Sequence, residues 1–272
     1  MPLIDTHAHI YLPEFQDHLQ EIHEAMDRAN VQEVLLPNID PKTLNDLYAL
    51  CAAYPQRYRP MIGLHPCTVD ENYEANLEQL KSQFHESPAP IIAIGEIGID
   101  LYWDTSKEAE QRHAFELQIQ WARERNLPVA IHVRNAFNEV FEVLEREYYE
   151  GFSGVLHCFT GGKRHVRRAL ELNLHFGIGG VVTFDQGLPH TVKRIPLDRI
   201  ILETDAPYLT PHPHRNEQNH PGYLPLIAQA VADAYLLPVD EIVQITTANA
   251  RQLFKLDLPA NPGAPLINPK KS

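Results

Sequence analysis

The pattern most suggestive of chemistry is a pair of histidines near the start of the chain. His7 and His9 follow a short apolar segment, and side chains two residues apart share one face of an extended backbone. Both imidazoles could therefore bind one metal ion. A single histidine near a strand is more often an ordinary hydrogen-bonded residue, so the pair alone leaves a structural role open.

Four more polar side chains stand at the ends of later apolar segments, namely Glu96, His132, His157 and Asp205. An unpaired carboxylate in a protein interior costs several kcal/mol, so Glu96 needs a metal ion or, alternatively, an inward-facing Arg or Lys. Each of the four could be structural alone, but together they predict a metal centre. Mixed imidazole and carboxylate ligands suit zinc, manganese, nickel or iron, and magnesium less well.

The elements that must position these side chains are short apolar segments that alternate with amphipathic ones. The predicted strands are 3–5, 33–37, 60–64, 91–95, 128–132, 154–157, 175–179 and 200–203, and the last predicted helix is 239–256. This alternation is typical of the α/β class with a parallel sheet. Eight strands without a central break favour a single closed TIM-type (β/α)8 barrel over an open sheet or two smaller domains.

A closed barrel brings the carboxyl ends of all eight strands to one mouth, where barrel enzymes hold their active sites. Strands one and eight are neighbours, which groups His7 and His9 with Asp205. Strands five and six lie opposite and carry the other two histidines, so Glu96 on strand four could bridge the two groups. The sequence thus predicts two divalent metal ions bound by six side chains.

Composition limits the remaining classes of protein. The 272 residues carry a net charge of −13, which argues against tight, sequence-independent binding to duplex DNA. The three cysteines form no Cys-x-x-Cys pair, and the N-terminus lacks a signal-peptide pattern, so we expect a cytoplasmic protein without a membrane span. We expect one barrel domain over residues 1–257 and a flexible Pro-rich tail over 258–272.

Five motifs in fixed order resemble the TatD family of metal-dependent deoxyribonucleases, within the amidohydrolase-like superfamily. They are DTHAH at 5–9, GLHP at 63–66, GEIGID at 95–100, HCFTG at 157–161 and ETDAPYL at 203–209. The resemblance runs from about residue 3 to residue 256, which is nearly the whole chain. Each motif is short, and the ordered set carries the specificity.

The resemblance implies a function that spacing alone does not indicate. Family residues that match the six predicted ligands hold metal ions (Zn, Mg or Mn), and the reaction is hydrolysis of DNA phosphodiesters, often from a 3′ end. The implied nucleophile is a water activated by two metals, with Asp205 as its base and Glu96 as the bridge between the metals. His65 resembles the family histidine near the scissile phosphate; alternatively, it is simply held in the Gly-x-His-Pro turn.

Further residues are candidates for substrate contact. Arg134 could bind phosphate or form a surface ion pair, and Glu203 could contact substrate or orient a metal ligand. Arg215 matches the arginine of the family's Arg-Gly-Lys-x-Asn-x-Pro run. Glu217 stands where that run frequently has a lysine, and its negative charge should weaken the attraction for phosphate. The run at 214–221 also carries His220, a second departure.

Aromatic side chains on the same loops could stack on an unpaired base or pack under the loops; they are Tyr102, Trp103, Phe159 and Tyr208. We therefore expect weakly bound DNA, or alternatively RNA, as the substrate of a monomer or small homo-oligomer. Two other functions stay open: a small-molecule amide, lactone or phosphoester hydrolase of the same superfamily, and a non-catalytic metal-binding barrel. Glu96 at the bridging place, instead of a lysine, favours the nuclease.

Overall fold

The computed structural model describes residues 2–256, so the predicted tail at 258–272 lies outside the described residues. The strands are β1 Leu3–Asp5, β2 Val31–Leu36, β3 Tyr58–Pro60, β4 Ile94–Asp100, β5 Val129–Arg134, β6 Gly154–Leu156, β7 Leu174–Ile178 and β8 Ile200–Leu202. The helices are α1 Leu19–Arg28, α2 Leu44–Ala53, α3 Tyr73–Glu86, α4 Glu108–Arg125, α5 Phe137–Glu147, α6 Lys163–Glu171, α7 Leu188–Val192, α8 Leu224–Tyr235 and α9 Val239–Phe254.

All strand pairs are parallel, and the strands follow one another in chain order. β1 to β3 form one ladder and β4 to β8 form another. Isolated bridges join the remaining edges: Ile62 pairs with Ile94 between β3 and β4, and Ala8 pairs with Ala206 just beyond β1 and β8. The eight strands therefore form a ring surrounded by helices, and the predicted β/α barrel is confirmed.

The ends of most predicted strands lie within two residues of the observed ends. The ends of β3 and β4 differ more, and both of these differences concern the mouth of the barrel. β3 ends at Pro60, although backbone bonds from Met61 to Leu36 and from Ile62 to Ala93 extend its course as irregular chain. β4 was predicted to end at Gly95 but runs on to Asp100. Glycine usually weakens or interrupts a strand, but the glycines of β4 allow its backbone to approach β5 closely. The sequence pattern does not distinguish these two roles of glycine.

Two apolar cores hold the barrel together. One, inside the ring, takes a residue from most strands, and Leu253 and Phe254 of α9 pack against it. The larger core fills the space between the strands and the surrounding helices. A fully buried aliphatic or aromatic side chain contributes about 1.5–3 kcal/mol, so these layers hold the strand ends in fixed positions.

None of the helices within residues 2–256 is both long and apolar enough to cross a lipid bilayer.

Candidate metal centre

Glu96 lies at the centre of the barrel mouth, and its two carboxylate oxygens face different groups of histidines. Oε2 lies 3.1 Å from His7 Nε2 and 3.4 Å from His9 Nε2. Oε1 lies 2.8 Å from His132 Nδ1 and 2.9 Å from His157 Nε2. Each oxygen therefore belongs to one half of the ligand set, which is the arrangement that a bridging carboxylate needs.

Asp205 lies on the same side as the first histidine pair. Its Oδ1 is 3.8 Å from both His7 Nε2 and His9 Nε2. The residue has a positive φ of 59°, a conformation that Asp tolerates better than most side chains, and its amide donates to the His7 carbonyl. Burial raises the pKa of Asp205 to about 6, although the neighbouring imidazole of His157 opposes this shift. Burial thus disfavours a negative charge on Asp205 unless a cation lies beside it.

A tyrosine fixes the tautomer of His9. The Tyr11 hydroxyl donates to the Pro37 carbonyl at 2.7 Å, so its oxygen accepts from His9 Nδ1 at 3.1 Å. The neutral His9 ring then keeps an unprotonated Nε2, and that lone pair faces Glu96 Oε2. Two lone pairs 3.4 Å apart repel each other unless a cation lies between them. This arrangement is typical of a metal ligand oriented by its outer partner.

Asp100 has the same effect on His132. Its Oδ2 lies 2.8 Å from His132 Nε2, which leaves Nδ1 of the ring to face Glu96. Burial alone would raise the pKa of Asp100, but the hydrogen bonds from His132 and from the Tyr102 amide lower it to about 2. Asp100 is thus a permanent anion that accepts from the imidazole.

His65 differs from the other histidines of the mouth. Its Nδ1 accepts from the Cys67 amide at 3.0 Å, so the neutral ring carries its proton on Nε2. That N–H faces Glu96 Oε1 at 3.2 Å. His65 Nε2 is close enough to Glu96 and His132 to complete a group of ligands. The bond from Cys67 nevertheless makes His65 a hydrogen-bond donor rather than a lone-pair ligand.

Glu203 lies beneath the centre, with no exposed surface. Its Oε1 accepts from the Cys158 amide and lies 3.3 Å from His157 Nδ1. A Cβ added at Gly177 would lie 2.2 Å from Glu203 Oε2, so the β7 glycine makes room for this carboxylate. The burial of Glu203 favours a contact with His157 over a contact with substrate.

The centre brings several buried carboxyl groups close together. The buried carboxylates are Asp5, Glu96, Asp100, Glu203 and Asp205. Within residues 2–256, no Lys or Arg nitrogen lies within the 4.0 Å ion-pair distance of Glu96, so the alternative salt bridge is not formed.

The electrostatics of individual groups agree with a site that takes up cations. Burial alone would raise the pKa of Glu96, but the imidazoles of His157 and His65 lower it well below its ordinary value. Burial alone would lower the pKa of His157, but the negative charge of Glu96 raises it well above its ordinary value. Both shifts reflect attraction between the negative charge of Glu96 and a positive charge beside it, which a bound cation can supply in place of a proton. The residues present therefore fit divalent ions bound on the two sides of Glu96.

A cavity of about 740 Å³ opens above the centre. Five of the six predicted ligands, all except His7, line it, and so do His65 and Arg134. Among the described residues, Arg215 and Glu217 lie outside this lining. Arg215 donates to the Thr210 carbonyl at 2.6 Å, and its guanidinium stacks on Phe184.

Glu217 and His220, the two departures from the family run, both form contacts within their own loop. Glu217 contacts His214 Nδ1 at 2.9 Å and accepts from the Tyr223 hydroxyl at 2.6 Å. His220 stacks on Tyr223 and accepts from the Gly222 amide. Glu217 therefore stabilises its own loop, and its charge lies outside the residues that line the cavity.

Two contributors to the centre were missed by the sequence prediction. Asp100 had a signal, because it shares one face of an extended β4 with Glu96. Tyr11 had no such signal in the sequence. Its role depends on the carbonyl of Pro37, which lies just after β2 and 26 residues further along the chain.

Comparisons with known proteins agree with the motifs. A family model described as "TatD related DNase" matches residues 4–255. YabD of Bacillus subtilis strain 168, named an uncharacterized metal-dependent hydrolase, is 36% identical over 258 residues, covering 94% of this chain and 100% of its own. YcfH of Escherichia coli K12, with the same description, is 30% identical, covering 94% and 97%.

Structural comparison gives the same answer. The crystal structure of YjjV, a TatD homolog from Escherichia coli K12, superposes with a TM-score of 0.88 at 27% identity, covering 94% of this chain and 98% of its own. A TatD-family hydrolase from Entamoeba histolytica shares the fold, with a TM-score of 0.84 at 19% identity. The resemblance inferred from the motifs is confirmed, and the chain belongs to the TatD-related DNase family.

Proposed function

We propose that the chain is a phosphodiesterase that hydrolyses DNA strands, most simply from a 3′ end, with two divalent metal ions. Membership of the family supports the coarser class, a metal-dependent hydrolase. The observation that carries the finer proposal is the position of Glu96, with one oxygen toward each half of the ligand set. Two metals about 4 Å apart are the arrangement that many phosphodiester-cleaving enzymes use.

The proposed ligands are His7, His9, Glu96, His132, His157 and Asp205. Divalent ions held there would neutralise charge on the phosphate and lower the pKa of a bound water. Asp205 would accept the proton from that water, because its carboxylate lies on the His7 and His9 side of the centre, where such a water would be held. The Nε2 proton of His65 would donate to a phosphoryl oxygen, in place of its present contact with Glu96.

Arg134 supports an anionic substrate. It lines the cavity, and in the part of the chain described no carboxylate lies within ion-pair distance of its guanidinium. Its charge is therefore available for a phosphate beside the scissile one. The overall charge of −13 predicts weak binding that depends on these local contacts.

The second candidate is a small-molecule esterase or amidase, because the cavity volume of about 740 Å³ is typical of small-ligand sites. The third, a non-catalytic barrel, predicts loss of ligands, whereas the six candidate side chains surround one centre.

A substrate comparison separates these functions. Metal-loaded protein is incubated with single-stranded DNA, single-stranded RNA and a panel of small esters and amides, beside Glu96→Gln. We expect nucleotides to be released from DNA, and Glu96→Gln to abolish this release. Intact strands together with Glu96-dependent cleavage of a small ester would establish the second candidate instead.

A further inference from the structure

The loop after β4 carries an exposed indole at the rim of the cavity. Trp103 is 75% exposed and lines the cavity together with His65, the candidate ligand His132 and Arg134. Large apolar side chains are scattered singly over most protein surfaces without a role. Trp103 differs because its exposed face belongs to the cavity and lies beside a cation.

That cation is held in place by a second aromatic ring. The Arg134 guanidinium lies 3.7 Å from the ring centroid of Tyr102 and 5.3 Å from that of Trp103. The two rings meet edge to face, with centroids 4.7 Å apart and planes at 90°. Tyr102 therefore supports Arg134, and Trp103 keeps a face free for another planar group.

The loop is tied to the metal centre at its base. The Tyr102 amide donates to Asp100 Oδ1 at 2.9 Å, and the other oxygen of Asp100 bonds to His132. The Leu101 amide donates to the Arg134 carbonyl at 2.9 Å. The backbone amides of Leu101 and Tyr102 thus fix the loop, and with it Trp103, relative to the candidate ligand His132.

From this geometry we propose that Trp103, Tyr102 and Arg134 form a subsite for one unpaired nucleotide, in which the base stacks on Trp103 and Arg134 contacts its phosphate. Trp103 offers a planar ring beside a cation that has no carboxylate partner among residues 2–256, and this pair matches a planar base joined to an anion. Stacking accepts every base, so the subsite would require a base without selecting its identity. The proposal rests on the proposed function, because it names the part of the strand that the site recognises.

A hydrolysis test compares two single strands that differ at one nucleotide. One ends in a normal nucleotide at the cleaved end, and the other ends in an abasic tetrahydrofuran residue. Because stacking on an aromatic side chain strengthens binding by about tenfold or more per base, we expect the wild type to cleave the abasic end about tenfold more slowly. Trp103→Ala should lower the rate on the normal strand to that level and leave the abasic rate unchanged.

Two variants serve as controls for the hydrolysis test. Trp103→Phe keeps an aromatic face and should restore most of the preference for the normal strand. Tyr148→Ala removes a ring that is 47% exposed but does not line the cavity, and it should change neither rate. Equal wild-type rates on the two strands, or equal slowing of both by Trp103→Ala, would overturn the subsite.

A binding test separates the subsite from the proposed function. The chain has two tryptophans, and Trp121 is only 3% exposed, so the difference between wild type and Trp103→Phe isolates the emission of Trp103. Titration with a thymidine tetranucleotide should quench this emission, and an abasic tetranucleotide should not. Quenching without cleavage of any strand would retain the subsite and reject the proposed nuclease. Equal cleavage of both strands without quenching would retain the proposed nuclease and reject the subsite.

Discussion

Replacement of Asp100 by asparagine tests how the chain selects the metal-binding nitrogen of His132. Asn is almost isosteric with Asp and can still accept from the Tyr102 amide through its oxygen. Its NH₂ group would then face His132 Nε2 at the present 2.8 Å. The amide would donate where the carboxylate accepted, so the ring would carry its proton on Nδ1, the nitrogen that faces Glu96.

The size of the effect follows from the burial of the contact. Asp100 is 4% exposed, and hydrogen bonds to charged groups contribute about 1.5–3 kcal/mol. Metal affinity on the His132 side should therefore fall by about 10–100-fold, the usual cost of losing an outer-shell partner. The ion on the side of His7 and His9 should keep its affinity within about threefold, because their Glu96 oxygen and their outer partners are unchanged.

Calorimetric titration of metal-free protein with Zn²⁺ would resolve the two affinities. Asp104→Asn is the matched control, since Asp104 lies on the same loop and bonds only to Ser106 in the described contacts. Two unchanged affinities, or equal loss of both ions, would refute the argument that Asp100 acts through the tautomer of His132.

Three further changes have defined outcomes. Tyr11→Phe removes the hydroxyl that accepts from His9, so the ion on the His7 side should bind about tenfold more weakly in calorimetry while the other ion is unaffected. Gly177→Ala places a Cβ 2.2 Å from Glu203 Oε2, so the melting temperature should fall by several degrees, and an unchanged value would contradict the fit of Gly177 to Glu203. Burial and the charge of Arg199 lower the pKa of His175 to about 4, so the unfolded state binds more protons between pH 4 and 6.5 and the free energy of unfolding falls as pH drops through that range. Urea denaturation should therefore find the wild type about 2 kcal/mol less stable at pH 5 than at pH 7, relative to the same difference in His175→Leu.

The barrel was predictable from the sequence because its strands are apolar segments separated by amphipathic ones. Where the strands end was less predictable. β4 extends to Asp100 through two glycines, and a Cβ at Gly98 would lie 2.1 Å from the His132 carbonyl. The glycine is there because β4 and β5 approach so closely, and such proximity between strands cannot be read from one segment.

The ligand candidates were predictable because each stands at a strand end, where parallel strands bring side chains together. Their protonation was not. The tautomers of His9 and His65 depend on Tyr11 and on the Cys67 amide, which act through local turns of the chain. The cytoplasmic location, the oligomeric state and the domain boundary at residue 257 stay predictions from the sequence.

The central claim is that a centre bridged by Glu96 hydrolyses phosphodiesters with two metal ions. The most direct measurement is the initial rate of nucleotide release from a 3′-labelled single strand as metal-free protein is titrated with Zn²⁺ or Mn²⁺. The rate should rise to a plateau at two equivalents of metal per chain, and Glu96→Gln should show no such rise. A strand that stays intact at saturating metal, or full activity without added metal, would contradict the claim.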